Sequence, residues 1–259
     1  MKLIILAAGE GKRLRPYTNE IPKCMVELAG EPLLSYQLSS ISKCNINKND
    51  IALVGGHKVE LLENFNLKIY KNNSYLSTNM VATLFCAREF MSHEEDLIIS
   101  YGDIIYEEKV LKTLLESDDE ICVSADIDWE RLWRLRMSNP LDDAETFIMD
   151  NNFNIKELGK KPISYSQIHA QYIGLIKIRG DIVSKLIDIY DQIDRGINYD
   201  GQNFDNMYMT SFIQYLIELG WQVKAKVISN GWLEIDTVED LDLYNQMAED
   251  NSLVNFCQL

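Results

Sequence analysis

Histidine is scarce in this chain of 259 residues: His57, His93 and His169 are the only three. They share no spacing that would bring them onto one metal, so a histidine-built centre is not expected. No Ser-His-Asp or Cys-His arrangement stands out, which excludes the usual routes to an activated nucleophile. Five cysteines (Cys24, Cys44, Cys86, Cys122 and Cys257) are scattered, odd in number and without metal spacing. They read as reduced thiols of a cytoplasmic protein, most of them serving as small buried hydrophobes. A charged leader followed by a long apolar run is also missing, so neither a signal peptide nor a membrane span is expected. Internal repeats, low-complexity tracts and obvious linkers are absent too.

Positive charge is the other thing in short supply. Lys and Arg number 25 against 40 Asp and Glu, a net charge of −15. A nucleic acid partner would demand a basic face, so that class is set aside. The few bases are unevenly placed. Residues 1–26 hold Lys2, Lys12, Arg13, Arg15 and Lys23 against Glu10 and Glu20, leaving −18 for the remainder. A basic loop in an acidic protein suits a small anion accompanied by a metal.

That loop lies in Leu3–Lys23, LIILAAGEGKRLRPYTNEIPK. Leu3–Leu6 is an unbroken apolar run and reads as a strand buried on both faces, as in a parallel sheet. It ends abruptly at Ala7-Ala8-Gly9-Glu10-Gly11. Small residues let the backbone approach a ligand, and glycine lets successive N–H groups aim at an anion. No Walker string G-x-x-x-x-G-K-[ST] occurs, and Gly9-x-Gly11 lacks the third glycine of a dinucleotide fingerprint. Strand, Gly-rich turn and clustered bases together suggest a phosphate site.

Downstream, apolar strands at Ile51–Val54, Leu67–Tyr70, Asp96–Ser100 and Ile121–Ala125 alternate with helical patterns. One helix starts at Glu31-Pro32, another runs from an Asn79 N-cap through Met91, and a short one covers Val59–Phe65. The alternation predicts an α/β fold, a doubly wound, mostly parallel sheet with ligands at the carboxyl ends of its strands. The second half reads differently. A polar, aromatic-rich excursion (129–143), a hairpin around Asn151-Asn152, a long strand Ile168–Ile178, helices at 181–194 and 204–219, and strands Trp221–Ile228 and Trp232–Ile235 follow. Thr237 caps a last helix with Val238, Leu241, Tyr244 and Met247 inward. The simplest organisation is one domain over 1–259, with a nucleotide half to about 125, a smaller acceptor-binding insertion over about 126–235, and a C-terminal helix and tail over 236–259.

Leu6-Ala7-Ala8-Gly9, Gly11, Arg13-Leu14, Pro16 and Pro22-Lys23 resemble, in order, the signature of the sugar-phosphate and phosphocholine nucleotidyltransferases. Asn72–Met80 with its Ser77-Thr78-Asn79-Met80-Val81 string, and Asn139–Glu145, narrow the resemblance to cytidylyltransferases of small phosphorylated amines and amino acids. The resemblance implies a Rossmann-like sheet, CTP as donor and Mg²⁺ as cofactor. The implied acceptor is L-glutamine phosphate, for capsule phosphoramidate biosynthesis, then phosphocholine or 2-aminoethylphosphonate, then a sugar 1-phosphate. An inactive nucleotide-sensing subunit is the alternative of another class, although Arg13, Lys23, Asp103 and Asp236 are all retained. The oligomeric state is left open between monomer and homodimer.

Site residues follow from the same resemblance. Lys23 reaches the α-phosphate and the acceptor phosphate, and Arg13 holds the pyrophosphate end. Leu6, Ala7, Ala8, Gly9, Glu10, Gly11, Lys12, Arg13 and Gly102 form the nucleotide site. Ser77, Thr78 and Asn79 join it, or else express ordinary loop polarity. Asp103, after Gly102, and Asp236, in Leu233-Glu234-Ile235-Asp236, are the metal ligands, with Glu234 the rival of Asp236. For the acceptor the candidates are Asp128, Trp129, Trp133, Arg136, Tyr172 and Asp205. Acids and aromatics suit an ammonium, and Arg134 or Arg136 suits an amino acid carboxylate. The alternative is that Trp129, Leu132, Trp133 and Arg136, at helical spacing, form a packing stripe. Sugar-binding members place a glutamate where Gln171 stands before Tyr172, which weakens the sugar reading.

Overall fold

The computed structural model describes residues 1–259. Its strands are β1 (Lys2–Ala7), β2 (Glu27–Leu28), β3 (Glu31–Pro32), β4 (Ile51–Gly55), β5 (Lys68–Lys71), β6 (Leu97–Tyr101), β7 (Ile104–Tyr106), β8 (Ile121–Asp126), β9 (Phe147–Met149), β10 (Ile155–Leu158), β11 (Gln171–Ile178), β12 (Val223–Ile228) and β13 (Trp232–Glu234). The helices are α1 (Leu33–Lys43), α2 (Met80–Phe85), α3 (Glu108–Leu115), α4 (Trp129–Arg136), α5 (Gly180–Gln192), α6 (Met209–Glu218) and α7 (Val238–Glu249).

Seven strands form the central sheet in the order β12-β8-β11-β6-β1-β4-β5. All its pairings are parallel except those of β11, which runs antiparallel between β6 and β8. Strand β1 is buried on both faces because its side chains alternate between two cores. Leu3 and Ile5 join a core with α1, α3 and α7, while Ile4 and Leu6 join one with α2, α5 and α6. The fold is therefore the α/β, mostly parallel sheet that the alternating strands and helices predict. No helix is long and apolar enough to cross a membrane, and all five cysteines are free.

Several element boundaries differ from the sequence reading, each for a local reason. Helix α2 begins at Asn79, whose side chain accepts from Met80 N, but it stops at Phe85 and only a 3-10 turn follows at Arg88–Phe90. β-Branched Val81 and Thr83 and the aromatic Phe85 and Phe90 give the segment little intrinsic reason to stay helical. Glu31-Pro32 is a strand stub that precedes α1, and 59–65 is a 3-10 helix. The excursion at 129–143 contains α4, and Tyr208 starts α6, with 204–206 a separate 3-10 turn.

Two strand pairings place the site. Parallel β1 and β6 end side by side, with Leu6 opposite Tyr101, so the loops after them meet at the sheet's carboxyl edge. Next to them β13 pairs antiparallel with β7, Glu234 opposite Ile104. Ile235 N donates to Asp103 O at 3.1 Å, which brings Asp236 beside Asp103 across more than 130 residues of chain. Helix α7 then starts with a capping box: Asp240 N donates to Thr237 Oγ1 at 3.1 Å, and Asp240 Oδ2 accepts from the N–H groups of Thr237 and Asp236. The box fixes the backbone at Asp236 as well as the helix start.

At the meeting of β1 and β6, Gly102 N donates to Leu6 O at 2.9 Å. A β-carbon on residue 102 would stand 2.6 Å from that same oxygen. Gly102→Ala therefore has to push the two central strands apart. The expected cost is about 1–3 kcal/mol, read as a lowered midpoint in thermal unfolding. An unchanged midpoint would contradict this contact.

Candidate active site at the carboxyl edge of the sheet

The chain leaves β1 through Ala7 and Ala8 and turns at Gly11, which is left-handed (φ 59°). A β-carbon there would meet Thr18 Cγ2 at 2.9 Å and Lys23 Cβ at 3.1 Å, so only glycine fits this turn. Gly11 O accepts from Thr18 Oγ1 at 2.7 Å, and fully buried Leu14 anchors the following 3-10 turn. Glu10 pairs with Lys12 at 2.9 Å and Arg15 at 3.0 Å, keeping the loop's bases together. Arg13 remains 63% exposed, with Nη2 at 3.1 Å from Asp236 Oδ2.

Beneath the loop lies a cleft lined by Leu6, Ala7, Ala8, Gly9, Thr78, Asn79, Gly102, Asp103 and Lys23. Glu10, Gly11, Lys12 and Arg13 belong to the adjoining loop rather than to these walls. Ser77 is not on them either, because its hydroxyl turns back to donate to Ser74 O at 3.2 Å. Asn72 is buried and braces the polar loop, donating to the hydroxyls of Thr78 and Thr83 at 2.9 Å each. Tyr75 and Tyr101 also line the cleft and had no distinguishing pattern in the sequence.

At the cleft's end, Lys23 Nζ lies between Asp103 Oδ2 at 2.6 Å and Asp236 Oδ1 at 2.5 Å. Burial opposes the lysine's charge, but the two carboxylates outweigh it and raise its pKa above the ordinary value. The same pairing lowers the pKa of Asp236 against the effect of burial. Asp103 keeps its second oxygen, Oδ1, buried and without a hydrogen-bond partner. An unpaired buried carboxylate oxygen is costly, and a hard cation is a suitable partner for it. Glu234 is committed elsewhere: its Oε2 accepts from Arg136 Nη1 at 3.0 Å. Burial and the nearby Asp236 still raise the Glu234 carboxyl above its ordinary value.

A second cleft continues from Asp236, walled by Trp133, Glu145, Tyr172, Tyr208 and Glu234 among others, with no lysine or arginine on it. Trp133 and Tyr172, two of the residues expected at an acceptor, thus line this second cleft. Asp128, Trp129, Arg136 and Asp205 do not. Helical spacing on α4 turns Trp129, Leu132 and Trp133 into the core. Arg136 is buried to 3% exposure, forks onto Asp240 at 2.9 and 3.0 Å and bonds Glu234. Asp128 precedes α4 and bonds the Ser229 hydroxyl. Asp205 is exposed and offers its backbone oxygen to Asn79 N at 2.9 Å. The other arginines of the segment are also taken, Arg134 by Glu130 and Arg131 by the Phe256 ring. None of Arg131, Arg134 and Arg136 therefore lines this second cleft.

Glu145 was not singled out by sequence reasoning, although it lay in the Asn139–Glu145 string. Gln171 clamps its backbone from both sides, accepting from Glu145 N at 3.2 Å and donating to Glu145 O at 2.6 Å. Burial pushes the Glu145 carboxyl up to about 7. Folding therefore opposes its ionisation, a penalty absent below its ordinary 4.5, growing with pH and complete above about 7. Glu145→Gln removes the penalty, so the variant should melt higher than the parent, by on the order of 5 °C at pH 8. The gap should shrink toward pH 5.5. Thermal melts at both pH values check this, and a variant that melts lower at pH 8 contradicts it.

Comparison with known proteins identifies the family. The MobA-like NTP transferase domain matches residues 3–144. The chain is 44% identical over 252 residues to the CTP:phosphoglutamine cytidylyltransferase of Campylobacter jejuni, covering 94% of this chain and 98% of that one. The inositol-1-phosphate CTP transferase from T. maritima superposes with a TM-score of 0.72 at 20% identity, covering 96% of each chain. The CTP:phosphocholine cytidylyltransferase from Streptococcus pneumoniae gives 0.69 at 18% identity, covering 95% of this chain and 98% of that one. A basic glycine-rich turn, a lysine between two strand-end aspartates and this degree of likeness lead to one assignment: the chain is a nucleotidyltransferase of the MobA-like NTP transferase family.

Proposed function

We propose that this enzyme transfers CMP from CTP to a small phosphorylated acceptor, with L-glutamine phosphate as that acceptor, and releases pyrophosphate. The observation that carries the reaction type is the convergence of Lys23, Asp103 and Asp236 where the glycine-rich cleft opens into the acid- and aromatic-lined one. The choice of CTP and of phosphoglutamine leans on likeness to the Campylobacter enzyme over nearly the whole chain. In the step itself, an oxygen of the acceptor phosphate attacks the α-phosphorus of CTP in line. A new O–P bond forms, the bond from the α-phosphorus to the bridging oxygen breaks, and pyrophosphate leaves with that electron pair. The attacking oxygen is already deprotonated at neutral pH, so alignment and charge stabilisation are the main requirements.

Lys23 supplies a buried positive charge at the meeting of the two clefts, suited to the α-phosphate and the attacking phosphate. Exposed Arg13, within reach of Asp236, suits the departing pyrophosphate. No three His, Cys, Asp or Glu side chains form a ready-made metal cage. Mg²⁺ fits such a site, since it keeps waters and phosphate oxygens and takes only one or two carboxylates. Asp103 and Asp236 would hold the ion, and its chemistry there would be neutralisation of phosphate charge. Glu234 is the poorer candidate, being engaged by Arg136.

The cleft itself favours a second reading. Its acids and aromatics without a base suit phosphocholine or 2-aminoethylphosphonate, amines that lack a carboxylate. Pyrophosphate release with CTP and each acceptor, side by side, decides between them. Phosphoglutamine is expected to give the highest kcat/KM, and a better value with phosphocholine would replace it by the second reading.

Removal of divalent metal with EDTA should abolish pyrophosphate release, and added Mg²⁺ should restore it. Asp103→Asn and Asp236→Asn should each lower turnover by two or more orders of magnitude, since each ~1.4 kcal/mol is tenfold in rate. Near-normal turnover in Asp236→Asn would return the metal role to Glu234.

The two bases are separable by steady-state kinetics at varied CTP. Lys23→Ala should lower kcat by about a hundredfold or more, whereas Arg13→Ala should lower kcat and raise the KM for CTP together. A fully active Lys23→Ala enzyme would sink the mechanism.

A further inference from the structure

The acid-lined cleft contains several carboxylates, and most of them are occupied. Asp143 accepts from Trp133 Nε1 at 2.9 Å. Glu234 is held by Arg136, and Asp236 by Lys23 with Arg13 at its other oxygen. Glu145 is different. The groups acting on it are the Thr210 hydroxyl and the like charges of Asp143 and Asp200, and it forms no ion pair with any base of the chain.

Beside it stands a second unfilled group. Tyr172 lines the same cleft, and its buried hydroxyl has no hydrogen-bond partner. Tyr101 lines the cleft with both of them, its ring edge-on to that of Tyr172 at 5.7 Å between centroids. Gln171 meanwhile holds the Glu145 backbone through both its N–H and its C=O, so the main chain that carries the carboxylate is anchored at the cleft wall. A carboxylate without a cation, next to an oxygen without a donor, is the complement of a positively charged N–H group.

We propose that Glu145, with the Tyr172 hydroxyl, binds a primary ammonium on the acceptor and so selects amine-bearing phosphates. This rests on the cytidylyltransferase reading above and specifies what its acceptor site recognises. A primary ammonium has N–H donors for both oxygens and brings the charge that the partly desolvated carboxylate lacks. A trimethylammonium has no N–H and leaves the phenol unsatisfied. A neutral polyol leaves the carboxylate without its counter-charge.

The test uses purified full-length enzyme, CTP and matched acceptors, read by pyrophosphate release. Phosphoglutamine is compared with its analogue lacking the α-amino group, and phosphoethanolamine with phosphocholine. In the parent enzyme, phosphoethanolamine should exceed phosphocholine in kcat/KM. Glu145→Gln should lower kcat/KM for phosphoglutamine at least tenfold more than for the deamino analogue, chiefly through the acceptor KM, with the KM for CTP little changed. Tyr172→Phe, which keeps the ring, should show the same discrimination to a smaller degree. Equal losses on the amine and deamino acceptors, or phosphocholine as the better of its pair, overturn the ammonium site while leaving nucleotidyl transfer intact. A parent enzyme that releases no pyrophosphate with any acceptor overturns both.

Discussion

One ammonium group between two carboxylates holds this active site together. Lys23, Asp103 and Asp236 come from the first loop, the middle of the chain and the start of the last helix, and they meet within 2.6 Å. Two buried aspartates alone would repel each other, and a buried lysine alone would tend to lose its proton. Together they remain charged. The arrangement gives the glycine-rich cleft a positive group and two anionic oxygens at one point, which is what the proposed reaction between two phosphates and a metal requires.

That centre depends on a supporting layer built around Arg136. Arg136 is buried among Asp240, Glu234 and the Trp133 ring. Its fork on Asp240 leaves Oδ2 also accepting from the N–H groups of Asp236 and Thr237. An acid that caps a helix thus aims an acid of the active site, and an arginine neutralises both. Removing one member of such a network would leave uncompensated buried charge, which is why these groups stand or fall as a unit.

The first half of the chain was legible because it is governed by local rules. Strand β1 reads from its apolar run and the turn from Gly11, and at the other end of the chain the cap of α7 reads from Thr237. Asp103 and Asp236 were placed by strand ends and by family resemblance, and the β7–β13 register brings them together. The acceptor side was legible only in part. Trp129 and Arg136 had two readings, core or ligand, and the difference depends on which way one eight-residue helix faces. The residue types alone could not tell that Arg134 and Arg136 already had partners within the chain. Glu145 escaped notice because its character comes from burial and from a clamp made by Gln171, and neither leaves a periodic trace.

The clamp itself has a bearing on how such enzymes diversify. Gln171 grips residue 145 entirely through main-chain atoms. The frame of the cleft is therefore indifferent to the side chain carried at that point. Charge, length or hydrogen-bonding character at position 145 can change while the main-chain bonds to Gln171 on the neighbouring strand are kept. A fold with such a socket separates what it does from what it does it to, and a single codon is enough to explore the second without risking the first.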